Sequence, residues 1–67
     1  MEIKVNGKKE TFDKKDISIL DFIQLKGQDP EKVVVEYNKE IVDKQKWSEI
    51  TLKDGDLLEI LKFVGGG

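Results

Sequence analysis

No cysteine, histidine or arginine occurs in the 67 residues, and proline occurs once. Without cysteine, neither a disulfide nor a thiolate metal site can staple the fold, so a small apolar core and good local structure must hold it. Without histidine and cysteine, the usual neutral-pH acid–base group and the strongest side-chain nucleophile are both missing. A chain of this size also buries only about 60% of the surface that its unfolded form exposes, which leaves no room for a deep catalytic cleft. The sequence therefore predicts one domain that is not an enzyme in its own right and holds no metal. The absence of arginine, the residue most used for bidentate phosphate and guanine contacts, argues against nucleic acid as a partner. Lysines are interspersed with Asp and Glu for a net charge of −2. No stretch approaches the roughly 18 apolar residues of a membrane span, and the first residues lack a basic segment followed by an apolar run. A protein of a reducing cytoplasm, off the membrane, is expected.

What is present reads as alternating short elements. Met1, Ile3 and Val5 alternate with polar neighbours, the period of a half-buried strand. Asn6-Gly7 then predicts a type I′ hairpin turn, which needs positive φ at both central positions, and a return strand over 8–12 that contributes Phe12 to the core. Ser18 is placed as a helix N-cap with Asp21 as a capping-box-like partner, and Ile17 and Phe22 occupy staple positions. The helix is expected over 19–26, with Ile19, Phe22 and Ile23 on its apolar face, Leu20 beside them and Gly27 just past its end. A turn at Pro30 leads to a β-branched strand over 33–38, with Val33, Val35 and Tyr37 on one face and Val34 on the other. Asn38-Lys39-Glu40 is a second tight turn, into a short strand over 40–42. Asp43 is expected to cap a single helical turn that Trp47 pins to the body.

The last strand, fed by the turn at Asp54-Gly55-Asp56, is apolar on both faces: Leu58, Ile60 and Val64 on one, Leu57, Leu61 and Phe63 with Glu59 on the other. One face is expected to pack on the helix. For Leu61 and Phe63 two readings stand open: an exposed apolar docking spot, or burial under the turn at 43–49. The strand runs directly into Gly65, Gly66 and Gly67. Bare backbone can lie in a channel too narrow for other residues, and the terminal carboxylate is a usable nucleophile toward an activated phosphorus. Such a tail is a handle for another enzyme; the alternative is a flexible linker remnant. Residues 1–64 are expected as the domain and 65–67 as a flexible C-terminal glycine tail.

Hairpin, helix, strand, short strand, turn and final strand make an α+β order, whose natural solution is one mixed sheet of four to five strands with a helix across one face. That order, with Asn6-Gly7, the stretch Val35 to Val42, Trp47 with Glu49, the stretch Leu52 to Asp56, and Glu59-Ile60 through Phe63 to Gly67, resembles the ubiquitin-like β-grasp fold. Within it, the chain is similar to the ThiS-type sulfur carriers of thiamine thiazole synthesis. The resemblance spans the whole chain; no single stretch is specific, and their joint spacing carries it.

The resemblance implies a carrier cycle. An E1-like adenylating enzyme of the ThiF type would use ATP and magnesium to convert the Gly67 carboxylate to an acyl adenylate. A cysteine desulfurase or other persulfide donor would then leave a thiocarboxylate at Gly67, and a ThiG-type thiazole synthase would accept the sulfur. Gly65 and Gly66 would give access to the partner's site, and Leu61 with Phe63 would dock it. No cofactor is bound by the carrier itself, which is expected to be monomeric when free. Within the same class, a molybdopterin synthase small subunit also ends in Gly-Gly but tends to be longer. From other classes come a passive ubiquitin-like interaction module and a modifier joined to lysines through Gly67.

Overall fold

The computed structural model describes residues 1–63. Strands β1 (Glu2–Val5), β2 (Lys8–Thr11), β3 (Val33–Tyr37), β4 (Glu40–Val42) and β5 (Leu57–Lys62) lie in one sheet in the order β2-β1-β5-β3-β4. The pairing of β1 with β5 is parallel and the rest is antiparallel. Helix α1 (Ile19–Leu25) supplies the second layer. A five-stranded mixed sheet with one helix is the β-grasp arrangement expected from the order of elements.

The core is what strand and helix periods dictate. Ile3 and Val5 of β1, Val33 and Val35 of β3, and Leu58 and Ile60 of β5 point to one side of the sheet, where they meet Ile19, Phe22 and Ile23 of α1. Ile17, Trp47 and Leu52 close the edges of this cluster. Phe12 follows β2 in place of belonging to it, and is half-buried with its ring centroid 5.5 Å from that of Phe22. The face assignments for β1, α1, β3 and β5 agree with the pattern in the sequence; Val64 lies outside the described residues.

Caps and turns set the element ends. The Ser18 hydroxyl accepts from the Asp21 amide at 3.1 Å, and Gly27 ends the helix at φ 76°. Instead of the reciprocal bond from the Asp21 carboxylate, the backbone around Ser18 is tied to the 50–51 segment: Ser18 bridges Thr51 and the Ile19 amide donates to the Ile50 carbonyl. Asp43 begins the turn at Lys44–Lys46 without a side-chain cap bond, contrary to the expectation of a cap. That turn is held instead by Trp47, which is 1% exposed and donates its indole N–H to the Val42 carbonyl at 3.0 Å. A buried indole contributes far more than an exposed cap at a single helical turn.

Both two-residue turns use left-handed backbone: Asn6 and Gly7 at φ 51° and 81°, Asn38 and Lys39 at φ 49° and 74°. Each asparagine also reaches across to β5. Asn6 accepts from the Ile60 amide at 2.7 Å and donates to the Ile60 carbonyl at 3.2 Å, and its own amide donates to the Leu58 carbonyl. One side-chain amide thus continues the β1–β5 ladder after the β1 backbone has turned away. Replacing Asn6 by Ala removes two such bonds and leaves a Cβ residue with no side-chain help in a left-handed conformation. Asn6→Ala is expected to lower unfolding stability by about 2–3 kcal/mol in urea, followed by Trp47 fluorescence, and Asn6→Gly by about 1 kcal/mol less. Equal losses for the two would show that backbone conformation is not part of the effect.

On the other edge of β5, the buried Asp56 carboxylate gathers three donors: the Tyr37 hydroxyl at 2.7 Å, the Lys53 amide at 2.7 Å and the Asn38 side chain at 3.3 Å. Asn38 in turn accepts from the Leu57 amide at 2.9 Å. The cluster fixes where β5 begins. Burial, and then the hydrogen bond and negative charge of Asp56, push the Tyr37 phenol up to about 12. The folded state therefore holds this proton where the unfolded chain releases it near pH 10. Tyr37 stabilisation is complete below pH 10 and is lost as pH rises toward 12, because the unfolded state then binds fewer protons. Discounted for partial solvent screening, the loss is about 1–2 kcal/mol. Tyr37 is the only tyrosine, so the phenolate ultraviolet band reads the titration directly. Denaturation at pH 10 and 12, compared with Tyr37→Phe, should show the extra fall only in the parent protein.

Candidate docking face and C-terminal segment

The side of the sheet away from α1 carries the remaining apolar residues. Val34 pairs directly with Leu61 across the β3–β5 ladder, and Phe63 continues the same face beyond β5. Its amide donates to the Lys32 carbonyl at 3.1 Å, so the ladder geometry extends to the last described residue. Leu61 is 48% and Phe63 50% exposed. The turn at 43–49 does not cover them, which decides between the two readings of these side chains: the face is open.

Ile41, 72% exposed, lies on β4 opposite Glu36 and widens the apolar area. It belongs to a strand of only three residues, too short for alternation to reveal its face in the sequence. Beside the apolar residues, Glu36 and Glu59 face each other across β3 and β5. Like charges directly opposite disfavour the pair. Lys4 and Lys39 stand nearby, around a shallow cavity of about 120 Å³ floored by Leu57 and Leu58. The face is thus apolar toward the C-terminal end of β5 and charged toward its beginning.

Among the described residues no group of carboxylates is disposed to hold a metal ion, and no helix is long and apolar enough to cross a membrane. The residues singled out at the end of the sequence divide at position 63. Leu61 and Phe63 come together on the open face, whereas Gly65, Gly66 and Gly67 lie outside the described residues.

Comparison with known proteins agrees with this geometry. A family profile described as the ThiS family matches residues 2–67. The sulfur carrier protein ThiS of Bacillus subtilis is 38% identical over 65 residues, covering 97% of this chain and 98% of that protein. A thiazole synthase of Paramagnetospirillum magneticum is 37% identical over the full 67 residues, and the chain spans 20% of that protein's length. Among solved structures, the thiamine biosynthesis protein ThiS of Geobacter metallireducens superposes with a TM-score of 0.86 at 38% identity, covering each chain completely. With the fold, the length and nearly the whole sequence matched together, the chain belongs to the ThiS family.

Proposed function

We propose that the protein carries sulfur for thiazole formation in thiamine biosynthesis, as a thiocarboxylate at Gly67. The observation that carries the reading is the end-to-end match to a protein named as a sulfur carrier, in a chain that keeps the three terminal glycines. The absence of cysteine and histidine fits this role, because the chemistry then belongs to the partners and the carrier contributes a carboxylate.

In this cycle the Gly67 carboxylate oxygen attacks the α-phosphorus of ATP on an E1-like, ThiF-type enzyme and displaces pyrophosphate. Magnesium there neutralises phosphate charge. A free carboxylate is a poor electrophile, and the adenylate makes its carbon one. The terminal sulfur of a persulfide, supplied by a cysteine desulfurase or an equivalent donor, then attacks that carbon and displaces AMP. A thiol supplies the two electrons that break the remaining S–S bond and release the thiocarboxylate. Gly65 and Gly66 allow the terminus to enter a narrow site, and no cofactor stays on the carrier between steps.

A ThiG-type thiazole synthase is the proposed acceptor. A segment similar to this entire chain occurs within one protein named thiazole synthase, and one similar to 61% of it within another, which supports carrier and synthase acting on each other. The apolar face of Val34, Ile41, Leu61 and Phe63 is the proposed docking surface, since contiguous exposed apolar residues beside a functional segment mark interaction sites. The free protein is proposed to be a monomer of the cytoplasm.

Intact mass after incubation with the cognate adenylating enzyme, ATP and a persulfide donor tests the chemistry. The full-length protein should gain the mass of one sulfur for one oxygen, and a variant lacking Gly66 and Gly67 should not. An unchanged mass with an enzyme active on another carrier would sink the reading. Leu61→Glu and Phe63→Glu test the docking face. Each side chain is about half exposed, so stability should change by no more than about 0.5 kcal/mol, while the rate of thiocarboxylate formation at low carrier concentration should fall about tenfold or more. An unchanged rate would remove these residues from the interface.

A further inference from the structure

The two edges of β5 are not equally satisfied. Alternation along the β3–β5 ladder aims the backbone of residues 57, 59, 61 and 63 at β3, as the bonds from the Asn38 amide to Leu57 and from the Phe63 amide to Lys32 confirm. Residues 58, 60 and 62 therefore aim at the β1 side. There the Leu58 carbonyl is met by the Asn6 amide, and both backbone groups of Ile60 are met by the Asn6 side chain. Lys62 comes next, after β1 has turned away at Asn6-Gly7, and its N–H and C=O have no hydrogen-bond partner among the described residues. An unpaired strand edge of this kind is a template for another strand.

A groove of about 400 Å³ opens at this point, with Val5 and Ile60 as its apolar floor. Lys8, Lys26 and Lys62 line it together with one acidic residue, Glu10. Glu10 is already paired with Lys26 at 2.9 Å, whereas Lys8 and Lys62 have no carboxylate within ion-pair distance among the described residues. In a protein of net charge −2, this is a local concentration of uncompensated positive charge beside free backbone groups. It lies on the edge of β5 and is separate from the apolar face around Leu61.

We propose that this groove receives an extended, acidic segment of a partner protein, which pairs with the Lys62 backbone as an added strand and sets its carboxylates against Lys8 and Lys62. Main-chain bonds supply affinity in such strand addition, and side-chain charge supplies choice of partner. A partner bound here would grip the strand immediately before residues 64–67.

The test is a titration of the full ¹⁵N-labelled chain with the acetylated, amidated peptide Asp-Val-Glu-Val-Glu-Val. Its counterpart Lys-Val-Lys-Val-Lys-Val serves as control, and both are taken to about 2 mM, the weak end of specific recognition. The acidic peptide should shift the amides of Asn6, Lys8, Lys26 and Lys62 and slow hydrogen exchange at the Lys62 amide about tenfold, an effect weakened by salt. The double variant Lys8→Glu, Lys62→Glu should bind about tenfold more weakly or not at all, with an unchanged melting temperature. Equal binding of the lysine peptide, shifts confined to Val34 and Leu61, edge-to-edge dimers seen by diffusion, or no shift at all would each overturn the proposal. No enzyme takes part in this titration, so its result is independent of whether Gly67 carries sulfur.

Discussion

The backbone pairing of β5 on both of its edges is the constraint from which the rest of the molecule follows. The strand is central because β1, from the opposite end of the chain, lies parallel to it on one side and β3 lies antiparallel on the other. A parallel neighbour requires a crossover. Here α1 and the β3–β4 hairpin occupy the sequence between β1 and β5. The helix covers the face that the crossover leaves, and the core forms between them. Two side-chain amides complete the pairing of β5 where backbone partners run out, Asn38 at Leu57 and Asn6 at Ile60. The segment after residue 63 consequently starts from a well-held strand of the sheet.

That placement gives the two faces of β5 different work. Leu58 and Ile60 are buried against the helix. Leu61 and Phe63 remain half exposed on the far side with Val34 and Ile41 around them. Among the described residues no further element lies over this second apolar face. Apolar side chains left open on a sheet face are the kind of patch on which the proposed docking rests. The lack of histidine and cysteine accords with the proposed role, in which partner enzymes supply the chemistry and the carrier supplies a terminal carboxylate.

Much of this was legible in the sequence, in particular wherever a signal is local. Asn6-Gly7 encodes its turn because both residues tolerate positive φ, and Ser18 encodes the start of α1 through its own hydroxyl. Alternation marks the buried side of β1, since side chains of period two must face one core, whereas three consecutive valines in β3 and two apolar faces in β5 leave the choice to the tertiary structure. Readings that depended on distant partners fared less well. Asp43 had the residue type of a cap, and Trp47 took over its role. Asp21 had the spacing of a capping-box partner, but only the Ser18 hydroxyl half of the box forms, and the backbone on either side of Ser18 pairs with Ile50 and Leu52. Ile41 gave no sign of its exposure in so short a strand.

By itself, then, the sequence determined the order and type of the elements, the buried faces of β1 and α1 and the glycine terminus, because turn chemistry, periodicity and residue identity act within a few positions. Only the tertiary structure decided that the final strand is central, that Leu61 and Phe63 stay uncovered, and that Asn6 and Asn38 bind across the sheet to β5 while Tyr37 reaches Asp56 just before it. It also decided that the Lys62 backbone has no partner among the described residues and that Lys62 shares a groove with Lys8. Each of these depends on which distant segment arrives alongside, and pairing between residues as far apart as Asn6 and Ile60 leaves no trace in local pattern.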